Sequence, residues 1–143
     1  MPEIEYAFLA DSAQVQPGQK FHVLGGGVSR ISGPALPFVH PHLSLVVGLR
    51  VVPNERNQEH DLSFALVGPD GSEVANAAGK VVAGGPPQQE DVILTIAIDL
   101  WNLQLRLPGE HTLRISIDGR ERKRLAVTVA QTANQMPEQK YLA

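Results

Sequence analysis

The stretch Gly109-Glu110-His111-Thr112-Leu113-Arg114-Ile115-Ser116-Ile117-Asp118-Gly119-Arg120-Glu121-Arg122-Lys123-Arg124-Leu125-Ala126-Val127-Thr128-Val129-Ala130 reads as one β-hairpin. His111, Leu113, Ile115 and Ile117 alternate with Thr112, Arg114, Ser116 and Asp118. Beyond Asp118-Gly119, Leu125, Val127 and Val129 alternate with Arg124, Ala126 and Thr128. Alternation with period two sends successive side chains to opposite faces of a strand. Asp-Gly between two such runs tolerates the positive φ that a tight hairpin turn requires. The parity places Leu113, Ile115, Ile117, Leu125, Val127 and Val129 on one core. Arg114, Arg124 and Thr128 then lie on a polar outer face.

Working outward, the same pattern recurs along the chain. Ile4–Ala10, Phe21–Leu24, Val28–Ser32, Leu43–Val52, His60–Val67, Glu73–Ala83 and Asp91–Trp101 read as strands. Gln16-Pro17-Gly18-Gln19, Gly68-Pro69-Asp70-Gly71 and Pro108-Gly109 read as turns. Pro34, Pro37 and Pro41 mark a loop or a sheet edge, because proline removes a ladder donor. No helix-period segment or repeat interrupts this order. Roughly seven to nine short strands with regular turns predict one all-β domain, an antiparallel immunoglobulin-like β-sandwich, over residues 1–130. A closed β-barrel shares the pattern. Residues 131–143 are polar and read as a flexible tail.

The chain has 143 residues, with 43% hydrophobic and 19% charged, which suits one self-sufficient globular domain. There is no cysteine, which excludes disulfides and thiolate chemistry within it. The acidic opening Met1-Pro2-Glu3-Ile4-Glu5 does not read as a secretory leader, and no apolar run approaches a membrane span. Cytoplasmic residence is the expectation. A net charge of −3 argues against nucleic acid as partner. The cluster Arg120, Arg122, Lys123 and Arg124 reads as a charged hairpin tip that discourages edge pairing.

Chemistry-bearing constellations are sparse. Gly25-Gly26-Gly27 lacks the spacing and the lysine of a phosphate loop, and reads as a turn or bulge. His40-Pro41-His42 has a spacing that puts two imidazoles on one face of an extended segment. With His22 and His60 they are candidate ligands of a divalent metal, the only cofactor the sequence suggests. His111 shares the parity of Leu113 and reads as a core-edge histidine. No nucleophile elbow is present, and Ser29 and Ser44 have no evident base. Trp101 is the one tryptophan, a candidate sugar-stacking platform or a core-rim residue. Val46, Val52, Ala65, Val67, Ile93 and Ala97 fall on the parity opposite to the core. An exposed apolar face marks an interface, and a homodimer or a protein partner would cover it. Because the hairpin face is polar, that interface is expected on the Leu43–Val52 or Asp91–Trp101 strands.

Tyr6-Ala7-Phe8-Leu9-Ala10-Asp11-Ser12-Ala13, then Lys20-Phe21-His22-Val23-Leu24-Gly25-Gly26-Gly27 and Pro34-Ala35-Leu36-Pro37, resemble the opening of a bacterial domain family of unknown function. The resemblance extends through most of the chain and implies no activity, catalytic residue or cofactor. Leu107-Pro108-Gly109-Glu110-His111-Thr112-Leu113 and the following hairpin are similar to the last two strands of immunoglobulin-like sandwiches. His111 stands where such domains often carry an aromatic residue, and the Cys…Trp…Cys signature is missing. Three functions follow as expectations: foremost a non-enzymatic binding or assembly module, then a metal-dependent enzyme built on the histidines, then a carbohydrate-binding module.

Overall fold

The computed structural model describes residues 1–16, 20–85 and 90–132. The expected turn at Gln16–Gln19, most of the Gly84–Glu90 loop and the tail beyond Thr132 therefore lie outside the described residues.

Nine strands follow one another: β1 (Glu3–Gln14), β2 (His22–Gly26), β3 (Arg30–Gly33), β4 (Phe38–Val51), β5 (His60–Val67), β6 (Glu73–Val81), β7 (Val92–Leu105), β8 (Gly109–Ile117) and β9 (Arg120–Gln131). They form two packed sheets, one ordered β2-β1-β4-β7 and the other β3-β9-β8-β5-β6. The fold is an immunoglobulin-like sandwich, and neither sheet closes into a barrel. One pairing is not antiparallel: β3 runs parallel to β9, with Ile31 opposite Val129. Short-range alternation carries no signal for that pairing, because the two partners lie about a hundred residues apart.

The hairpin forms as its sequence requires. Asp118 and Gly119 both have positive φ, 49° and 80°, the geometry of a primed turn. Leu113, Ile115 and Ile117 are fully buried, and Val127 and Val129 face them. The Asp118 side chain also fastens the turn to β5. Its Oδ1 accepts from the Asp61 backbone N–H at 2.9 Å, and its Oδ2 lies 3.2 Å from His60 Nδ1.

The core collects Leu43, Leu45, Val47, Leu49 and Val51 of β4 with the inward residues of β5, β7, β8 and β9. Four departures from simple alternation shape the other faces. First, β1 carries a bulge between Ile4 and Tyr6. Ile4 therefore packs toward the core while Tyr6 and Phe8 turn outward, so the three do not share a face.

Second, Val46 is not an exposed outer-face residue. It is fully buried, flanked by Phe8 and Ala97. The aromatic rings of Tyr6, Phe8 and Phe21 stack along this face, and the Tyr6 ring lies where Gly48 would carry a Cβ. Tyr6 Oη reaches across β4 to bond Thr95 Oγ1 on β7. The rings of β1 thus cover the strip that parity alone leaves bare.

Third, β4 begins at Phe38 and passes through Pro41. Pairing with β1 ends at Ser44, so Pro41 lies where β7 alone pairs with the strand, a position that tolerates a missing donor. Fourth, Asn102 on β7 has φ 53°, and Trp101 and Asn102 are both exposed in succession. The kink exchanges the faces: Leu100 is inward, and so are Leu103 and Leu105.

Candidate functional site

The exchange of faces decides what the histidines can do. His42 lies opposite the exposed Trp101, and His40 lies opposite the buried Leu103. Directly opposed residues share a face. His40 and His42 therefore point to opposite sides, against the expectation from their spacing. His60 is buried and held by Asp118 and by the Glu55 carbonyl, 3.1 Å from its Nε2. His22 is exposed on β2, opposite Gln14. Among the described residues no three of His, Asp and Glu gather as metal ligands.

His42 instead anchors a cluster on the outer face of β4 and β7. Its Nε2 lies 2.8 Å from Asp99 Oδ1 and 3.4 Å from Ser44 Oγ. Ser44 Oγ donates to the same Asp99 oxygen at 3.0 Å. The His42 ring stacks on Trp101 with centroids 4.1 Å apart and planes 22° from parallel. Trp101 is 65% exposed, so its second face is open to solvent.

Ser, His and Asp here do not form a hydrolytic triad. A triad needs the carboxylate on one ring nitrogen and the serine on the other. In this cluster both converge on Nε2, the serine proton goes to the carboxylate, and Ser44 is fully buried. The arrangement holds a ring in place. It orients His42, and His42 sets the plane of Trp101.

The remaining apolar candidates divide. Ile93 is 44% exposed on β7, whereas Val52, Ala65, Val67 and Ala97 are half-buried. Val39, which sequence reasoning passed over as part of a loop, is 53% exposed opposite Gln104. At the hairpin tip Glu121 binds Arg124 through two bonds of 2.8 and 2.9 Å and lies 3.6 Å from Arg114, which tempers the basic cluster. Among the described residues no helix is long and apolar enough to cross a membrane.

Several carboxyls titrate below their ordinary range. The Asp61 amide and His60 hold Asp118 down, and the bonds from His42 and Ser44 do so for Asp99 despite some desolvation. A carboxyl depressed by folding stabilises the fold above its unfolded-state value, and that contribution is lost as pH falls through the folded-state value. The thermal midpoint is therefore expected to hold near neutrality and to drop once pH falls below about 4. Asp118→Asn should flatten that drop while lowering the midpoint at pH 7, as calorimetry would show. An equally steep acid limb in the variant would contradict the assignment.

Nine strands in two sheets, with the exposed Trp101 stacked on His42 along the edge strand β7, define an immunoglobulin-like sandwich domain. The chain belongs to the family of unknown function DUF6941, whose profile matches residues 5–130. No curated protein matches it. Among solved structures it is similar to an alkylpurine DNA glycosylase of Pseudomonas fluorescens bound to DNA with an abasic-site analogue. That likeness has 12% identity and a TM-score of 0.48, and covers 90% of this chain but 30% of the glycosylase. It is also similar to a CARDB domain from Pyrococcus furiosus in complex with di-metal ions, at 13% identity and a TM-score of 0.36, covering 89% of this chain and 91% of that one. Likenesses this distant carry no argument about ligand or activity.

Proposed function

We propose that this protein is a non-enzymatic binding and assembly module of the bacterial cytoplasm, and that two copies join along β7. The supporting observation is the character of that strand. It is a 14-residue sheet edge, and Asp99 is the only charged residue along it. Ile93 and Trp101 stand exposed on its outer face. A long apolar edge is a template for pairing with another strand, and antiparallel pairing of two β7 strands about a two-fold axis closes the edge. Trp101, already fixed by His42, loses little freedom on contact, which is what an anchor residue requires.

Light scattering across a wide concentration range should give a dimer mass. Trp101→Ala should weaken the dimer by about 2 kcal/mol or more, the scale of an interfacial hot spot. A strict monomer at every concentration would sink the reading.

The orientation of Trp101 supports a second reading, carbohydrate stacking on its open face. Tryptophan fluorescence that stays constant across a glycan panel would remove it. The metal-dependent enzyme has less support, because His22, His40, His42 and His60 lie at separate places. Nucleic acid is not the proposed partner, given the acidic balance of the chain and the Glu121 contacts within its one basic cluster.

A further inference from the structure

A pocket of about 410 Å³ lies where β5 turns into β6 and where β7 leads into β8. That volume is in the range of small-molecule sites, roughly 300–1,000 Å³. Its base is His111, only 1% exposed. The Nδ1–H of His111 donates to the Gly109 carbonyl at 3.1 Å. With that proton placed, Nε2 of the neutral ring is an acceptor. The one hydrogen bond of the His111 side chain among the described residues is the one from Nδ1, and the ring borders this pocket. Below the ring lie the core leucines.

The β5–β6 turn supplies a fixed carboxylate. The Gly68 N–H bonds the Ser72 carbonyl at 2.8 Å. The Ser72 N–H and Oγ both donate to Asp70 Oδ1, at 3.0 and 2.6 Å. Oδ2 is left without a partner among the described residues. Glu73 adds a second carboxylate, and the segment after β7 contributes Arg106. Among the described residues Arg106 makes no ion pair, although it lines the same pocket as both carboxylates. Charges of both signs thus border one space without meeting. A lone anion would face two carboxylates, and a lone cation would face a guanidinium. A compact molecule carrying both signs satisfies all of them, with charge-assisted bonds at each end.

We propose that this pocket binds a small zwitterion of the free amino-acid class. Its ammonium group is held by Asp70, Glu73 and His111 Nε2, its carboxylate by Arg106, and its side chain by Val74 and Leu107. Trp101 lines no part of this pocket, so the proposal is independent of assembly through β7.

The test is an NMR titration of the isotope-labelled protein with each standard free amino acid into the millimolar range, read at the His111 ring. At least one amino acid should give saturable shifts. Its N-acetyl derivative, lacking the ammonium, and its amide, lacking the carboxylate, should each bind about tenfold more weakly or worse. Arg106→Gln should weaken the amino acid and leave the amide unaffected, and Glu73→Gln should weaken the amide as well. Both positions are exposed, so the variants keep the fold. The proposal fails if no free amino acid moves the His111 signals. It fails equally if the amide, the acetyl derivative and Arg106→Gln all bind like the parent pair.

Discussion

Leu113→Ala is expected to cost about 2–5 kcal/mol of folding stability, a large part of the 5–15 kcal/mol a domain of this kind possesses. Leu113 is fully buried in the middle of β8, between Leu66 on β5 and Leu125 on β9. It also borders a small void of about 10 Å³ walled by Leu9, Leu43, Leu100 and Leu105. Truncation removes transfer energy and enlarges a space that two packed sheets cannot collapse around, so both terms act in the same direction. The neighbouring Arg114 is exposed, and Arg114→Ala should change stability by no more than about 0.5 kcal/mol. Urea unfolding of the two variants reads the contrast directly. The midpoint of Leu113→Ala should fall steeply at unchanged slope. A midpoint equal to that of the parent would mean that the hairpin is not packed on this core.

The hairpin was legible because every signal it needs is local. Alternation, the Asp-Gly turn and the polar outer face all lie within one run of residues. The β5 strand, His60–Val67, was legible on the same ground and at the same boundaries. What sequence could not display is what depends on a partner strand. The parallel β3–β9 pairing joins residues at the two ends of the domain. The passage of β4 through Pro41 is tolerated because the pairing of β4 with β1 stops at Ser44, short of the proline. Alternation names two faces, but it does not say that a bulge or a kink will exchange them.

The candidate site shows the same limit at the level of single residues. The His40-Pro41-His42 spacing is correct for a shared face on a regular strand. Asn102 on the neighbouring strand undoes it, and nothing in the histidine segment reports that. Trp101 was visible as the one tryptophan, but its exposure and its stack on His42 follow from register. Parity alone places His111 on the core side, and its 1% exposure is deeper than a core-edge position implies. The pocket above it was not readable, because Asp70, Glu73 and Arg106 come from segments more than thirty residues apart in sequence.

Gly48→Ala should destabilise the protein by about 1–3 kcal/mol, far more than the same exchange on an open sheet face. On an ordinary strand a Cβ in place of glycine is favourable, since it removes backbone freedom from the unfolded chain. At position 48 the added carbon would meet the Tyr6 ring, which lies flat over the backbone there. The ring must lift, and in lifting it gives up its bond to Thr95 and disturbs its stacking on Phe8, which lies opposite the fully buried Val46. A double-mutant cycle separates this account from a simple strand effect. Tyr6→Ala alone should cost about 3–5 kcal/mol, by analogy with other large aromatic truncations. In the Tyr6→Ala background, Gly48→Ala should cost nothing or stabilise slightly, so the pair couples strongly. Additive losses would mean that the ring and the glycine are independent. The coupling bears on assembly too. While the Tyr6 layer stays closed, the outer face has little apolar area to offer near Val46, and contact is directed to Ile93 and Trp101 on β7.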